Sequence, residues 1–152
     1  MLRQLLSDAE PLARLIGAAR RHISHAVARR VRPHGLNAPR FWLLVNLLEA
    51  PGLSLGALAE RIRTDEPTAS RIVTSLRRRR LVQVRTDRRD RRRHRLELTP
   101  QGTALALQLA PLAAEVRTGV EAGFSPEEKK TLGRLLVRVI ENARRLEQES
   151  EP

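Results

Sequence analysis

The sequence predicts a mostly α fold with a small β-wing: a winged helix-turn-helix flanked by N- and C-terminal dimerisation helices. Three observations predict it. Apolar residues recur at three- and four-residue steps through most of the chain, as amphipathic helices require. That period switches to two only on either side of an arginine-rich loop, the pattern of a hairpin. Only Phe41, Trp42 and Phe124 of the 152 residues are aromatic, so the core is built from Leu, Val, Ile and Ala. Aliphatic ridges suit packed helices better than a β-sandwich.

Over residues 10–32, Leu12, Leu15, Ile16, Ala19, Ile23, Ala26, Val27 and Val31 share one face of a helix about six turns long. Pro33 and Gly35 end it. Asn37 caps a second helix with Pro39 in its first turn and a largely buried body at 41–45, and Pro51 and Gly52 stop it. Ser54 caps a short third helix, 55–62. Asp65 caps a fourth, with Glu66 and Pro67 in its first turn and Ala69, Ile72, Val73 and Leu76 facing inward. Two short helices joined by a tight polar connection form a helix-turn-helix.

Val82 and Val84 then alternate with Gln83 and Arg85, and Leu96 and Leu98 alternate with Arg95 and Glu97. Around the wholly polar stretch 86–93 they make a wing of two half-buried strands. Thr99 caps the next helix, with Pro100 first and Leu105, Leu109, Leu112, Val116 and Val120 along one face; Pro111 is expected to kink it. Gly123 ends it. The capping box Ser125-Pro126-Glu127-Glu128 opens a last helix carrying Leu132, Leu135, Leu136, Val139, Ile140 and Leu146. The outer helices hold more apolar face than the middle segment can cover. The expected division is therefore a DNA-binding unit over 37–98, with 8–36 and 99–147 forming a helical dimerisation region.

The charge is unevenly placed. Net charge is +12 and the pI is near 11.7, yet the 19 residues 77–95 alone hold eleven arginines and two aspartates, or +9. The other 133 residues carry only +3. Arginine supplies 27 of the 29 basic residues, a skew that genome composition can produce, but composition does not choose this location. Apolar strands flank the run on both sides, so it is no disordered tail. A basic cluster at the end of one helix and on a wing fits a polyanion, nucleic acid above all.

A recognition helix reads base edges in the major groove from its first two turns. Its outward positions here are Thr68, Ser70, Arg71, Thr74 and Ser75. Small hydroxyls permit close approach, and Arg71 is long enough to reach a guanine edge. The candidate DNA contacts are Thr68, Ser70, Arg71, Thr74 and Arg77, joined by the wing residues Arg88, Arg89, Arg91 and Arg92. Wing arginines can follow the adjacent strand or enter a narrow minor groove. Asp87 and Asp90 are expected to hold arginine side chains by bidentate pairing.

The run Asp87-Arg88-Arg89-Asp90-Arg91-Arg92-Arg93, followed by Leu96-Glu97-Leu98-Thr99-Pro100-Gln101-Gly102, resembles the wing signature of the multiple antibiotic resistance regulator (MarR) family. Upstream, Leu58-Ala59-Glu60-Arg61 and Pro67-Thr68-Ala69-Ser70-Arg71-Ile72-Val73 are similar to that family's helix-turn-helix. The resemblance implies a homodimer with interlocked terminal helices, a short pseudo-palindromic operator, and release by a small aromatic or phenolic acid. Arg88 stands where the family often has proline, which makes this wing more basic. The absence of cysteine departs from the family's peroxide-sensing branch. The regulator is expected to be a repressor.

Other classes fit poorly. Without cysteine there are no disulfides, zinc-thiolate sites or thiol switches. No signal-peptide core precedes Asp8 and Glu10, and the longest uncharged stretch, 98–114, is too short and too interrupted to cross a bilayer. A cytoplasmic location is expected, with no membrane partner. No glycine-rich phosphate loop or nucleophile–base pair suggests an enzyme, and no cofactor or metal is expected. Effector candidates are His22 and His25 on the first helix, and Arg40, Trp42 and Asn46 on the second. The rival reading is a nonspecific architectural DNA- or RNA-binding protein that uses the same basic cluster and has no effector.

Overall fold

The computed structural model describes residues 11–86 and 94–149. Helix α1 (Leu12–Val31) begins after Pro11 and closes through a short 3₁₀ turn (Arg32–His34). Helix α2 (Ala38–Glu49) starts where the Asn37 side chain accepts the Arg40 N–H at 3.1 Å. The Ser54 hydroxyl caps α3 (Leu55–Arg61), and the Asp65 carboxylate caps α4 (Glu66–Arg78). Strands β1 (Val82–Thr86) and β2 (His94–Leu98) pair antiparallel, with Val82 opposite Leu98 and Thr86 opposite His94. Helices α5 (Pro100–Val120) and α6 (Pro126–Glu149) complete the chain. This is the mostly α, winged architecture that the periodicities predict.

The chain divides into two compact units, residues 1–116 and 117–152. The first unit has one apolar core. Phe41, Leu43, Leu44 and Leu47 of α2 form its centre, closed by Leu58 of α3, Leu76 of α4 and Val27 and Val31 of α1. Val82, Leu96 and the α5 residues Ala106, Leu109 and Ala113 finish it. Among the described residues no polar or charged side chain is buried. Burial of aliphatic and aromatic surface therefore stabilises the unit, at about 1.5–3 kcal/mol per fully buried large side chain.

Some expectations change. Val84 is 36% exposed, because the burial of β1 stops after Val82 as the hairpin leaves the core. Leu12 and Leu15 are also exposed, so the first half of α1 buries little within this chain. Pro111 lies inside α5, which continues for nine residues beyond it to Val120. Strand β2 gains a connection that the alternation does not reveal. The Leu96 N–H donates to the Leu53 carbonyl at 2.8 Å, and the Gly52 N–H donates to the Leu96 carbonyl at 2.9 Å. The base of the wing is thereby tied to the loop between α2 and α3.

Helices α3 and α4 end alike. Arg63 (φ 52°) and Arg80 (φ 58°) take the left-handed conformation usually given to glycine. After Arg63, the Thr64 N–H returns to the Ala59 carbonyl; after Arg80, the Leu81 N–H returns to the Leu76 carbonyl. Each closes the helix by satisfying carbonyls that have no helical partner. An arginine held there costs on the order of 1 kcal/mol, so packing around the turn has to impose it.

In the second unit, Ser125 and Glu128 form the predicted capping box. The Glu128 carboxylate accepts the Ser125 N–H at 2.8 Å, and the Ser125 hydroxyl accepts the Glu128 N–H at 3.3 Å. No residue of α6 is buried: Leu132, Leu135, Leu136 and Leu146 are all exposed.

The start of α5 packs closely against the turn that precedes β1. Thr99 caps it by accepting the Gly102 N–H at 3.0 Å, and the Thr99 N–H donates to the Leu81 carbonyl at 3.1 Å. A methyl group on Gly102 would sit 1.9 Å from that same Leu81 oxygen. Gly102→Ala is therefore expected to push α5 away from the turn at Leu81 and cost about 3 kcal/mol or more, read as a lower urea midpoint. An unchanged midpoint would contradict this packing.

Candidate nucleic-acid interface

The first turn of α4 is organised by its own side chains. The Asp65 carboxylate accepts the Thr68 N–H at 2.7 Å, and the Thr68 hydroxyl accepts a hydrogen bond from the Arg71 guanidinium at 3.0 Å. The Thr68 backbone bond chiefly, helped by its hydroxyl and by the charge of Arg71, lowers the Asp65 pKa below its ordinary value of 3.8. Arg71 is thus held along the helix surface before any ligand arrives. Pre-ordering a guanidinium reduces the rotamer entropy that binding costs.

Pro67, Arg71, Thr74 and Arg78 are exposed and follow one another at helical spacing, with exposed Arg77 beside them. Of the other outward candidates, Thr68, Ser70 and Ser75 are half-buried flanks of this stripe. Beyond it, Thr74, Arg77, Arg78 and Arg80 line an open groove of about 580 Å³ floored by Val82, Gln83 and Val84. Arg77, Arg78 and Arg80 bring three cations together where α4 meets the wing. Arg85 on β1 pairs with Glu97 on β2 at 2.9 Å. The wing candidates Arg88, Arg89, Arg91 and Arg92, with Asp87 and Asp90, lie outside the described residues.

One arginine of the cluster faces elsewhere. Arg79 donates to the carbonyls of Gly35 and His34, each at 2.7 Å. In sequence nothing separates it from Arg77, Arg78 and Arg80, because its partners are backbone atoms 44 and 45 residues away. Arg61 of α3 likewise bonds Asn46 and Glu49 of α2, both at 2.9 Å, and so braces the first helix of the pair.

The effector candidates are placed less tightly. His22 and His25 are exposed on α1, and Arg40 is half-buried on α2. Trp42 is half-buried against the core, its ring edge-on to Phe41 with centroids 4.8 Å apart. Asn46 uses its amide at both ends: its NH₂ donates to the Trp42 carbonyl at 2.8 Å while its oxygen accepts from Arg61. Among the described residues no three His, Cys, Asp or Glu side chains group to hold a metal ion. No described helix is long and apolar enough to cross a membrane.

Residues 34–93 match the model of the MarR family. The chain is 30% identical over 110 residues to YybA of Bacillus subtilis (strain 168), an uncharacterized HTH-type transcriptional regulator, covering 72% of this chain and 73% of that protein. Its fold is similar to that of BpsR of Bordetella bronchiseptica, whose DNA binding is regulated by 6-hydroxynicotinic acid. There the TM-score is 0.72 at 25% identity, over 87% of this chain and 94% of that one. It is also similar to MepR of S. aureus in a complex with DNA, with a TM-score of 0.75 at 18% identity over 88% and 99% of the two chains.

The capping network carries a pH signature. A carboxylate with a lowered folded pKa stabilises the fold above its unfolded value, and that contribution is lost as pH falls through the folded value. Melting temperatures of the wild type should therefore drop as pH falls below about 4. Asp65→Asn caps through an amide oxygen that does not titrate, so its drop should be smaller. Identical acid limbs for the two proteins would remove Asp65 from this role.

Proposed function

The chain belongs to the MarR family of transcriptional regulators, and we propose that it acts as a homodimeric repressor whose two α4 helices read a short pseudo-palindromic operator. The exposed stripe of Arg71, Thr74 and Arg78, with Arg77 and Arg80 at its end, carries this reading. It offers base-reading groups on the early turns and cations where phosphates would follow. The uncovered apolar residues of α6 and the exposed Leu12 and Leu15 of α1 support a second copy as their cover. Two such helices would lie about one DNA turn apart, roughly 34 Å.

Release by a small aromatic acid is part of the proposal. The regulation of the Bordetella relative by 6-hydroxynicotinic acid supports it. His22, His25, Arg40 and Trp42 are the contacts proposed here. Asn46, bonded at both ends of its amide, is left to hold α3 in place.

Fluorescence anisotropy at about 150 mM salt, with the upstream intergenic region against a scrambled duplex of equal length, tests the reading. A preference of ~10³-fold or more is expected. Near-equal affinities that both fall steeply with salt would mark a nonspecific binder instead. Arg71→Ala should weaken operator binding by about 1–3 kcal/mol and leave scrambled DNA nearly unaffected; equal losses on both would end its role as a base reader. Neutralising Arg88, Arg89 and Arg91 together should flatten the log–log salt dependence by about 0.9 for each phosphate that the wing no longer neutralises. An unchanged slope would mean that the wing does not touch DNA.

A further inference from the structure

We propose that Arg79 is a positioning residue: it fixes the angle between α1 and the recognition helix α4, and through that angle the half-site spacing the protein accepts. The proposal rests on the homodimeric operator reading above and adds a residue to it.

Four consecutive arginines, 77–80, end α4 and form the turn after it, and of these Arg79 bonds the end of α1. Its two bonds go to the last carbonyls of the turn that closes α1, groups that lack helical partners and lie at the negative end of a helix dipole. Both sides of the contact are shaped for it. Gly35 takes φ 66°, and a methyl group there would lie 3.0 Å from the Arg79 Nη2 atom. Glycine thus allows the turn and also leaves room for the guanidinium. The planar fork of arginine reaches two neighbouring carbonyls in one fixed orientation, whereas a lysine ammonium gives a point charge without that geometry.

The consequence is mechanical. Arg79 is the residue on which α4 ends, so its bonds set where the base-reading stripe points relative to α1. With α1 reaching toward the second copy, a change at this contact alters the separation of the two recognition helices. Arg79 is therefore assigned no DNA contact. It decides which spacing of half-sites binds.

Selection of bound duplexes from a random DNA library tests this with wild type, Arg79→Gln, Arg79→Lys and Gly35→Ala proteins, each checked by thermal melting. Wild type should return inverted repeats at one spacing. Arg79→Gln and Gly35→Ala should return the same half-site over a spread of spacings, with unchanged affinity for scrambled DNA. Arg79→Lys, which keeps the charge and most of the packing, should show the same spread and stands in if Arg79→Gln does not fold. A folded variant that selects only the wild-type spacing would overturn the proposal alone, even if its melting temperature falls. Half-sites without inverted repeats from the wild type would overturn the homodimer reading and this proposal with it.

Discussion

Arg79, Arg80 and Leu81, where the recognition helix gives way to the wing, form the turn on which the rest of the first unit depends. Arg80 adopts a left-handed conformation, which lets the Leu81 N–H close the helix on the Leu76 carbonyl. The Arg80 and Leu81 carbonyls then accept the Thr99 hydroxyl at 2.6 Å and the Thr99 N–H at 3.1 Å. Arg79 reaches back to the end of α1. Three residues therefore connect α1, α4, β1 and α5. Each hydrogen bond contributes about 1 kcal/mol net, less than the burial of Leu76 or Leu81 beneath the turn. Apolar burial holds these elements together, and the directional bonds set their angles.

Charge acts differently. With no charged side chain buried among the described residues, solvent-accessible pairs such as exposed Arg85 with half-buried Glu97 add about 1 kcal/mol each at most. Eleven arginines within 19 residues repel one another in the free protein, so the cluster is not explained by stability. Phosphates relieve that repulsion and release their counterions on contact. On the proposed reading, Arg71, held by Thr68, carries sequence information, while Arg77, Arg78 and Arg80 supply attraction without it.

Much of this was legible in the sequence because its signals are local. Asn37, Ser54, Asp65, Thr99 and Ser125 each cap the helix that they announce, since capping is settled within three residues. The switch of period located the hairpin for the same reason. What escaped depends on distant partners. Val84 alternates correctly but outruns the core. Gly102 stands in the family signature, yet its physical reason is a carbonyl 21 residues earlier that leaves no space for a methyl group. Arg79 belongs by composition to the basic cluster, and only the fold shows that it bonds the end of α1. The left-handed arginines at 63 and 80 occupy positions where sequence rules look for glycine.

On the proposed reading, recognition helices anchored at this turn meet DNA in pairs. Native mass spectrometry of the protein with one short duplex from its upstream region, near physiological ionic strength, measures this directly. A single dominant complex of two chains on one duplex is expected, with free protein also dimeric. One chain per duplex, or an open-ended series growing with protein concentration, would contradict it.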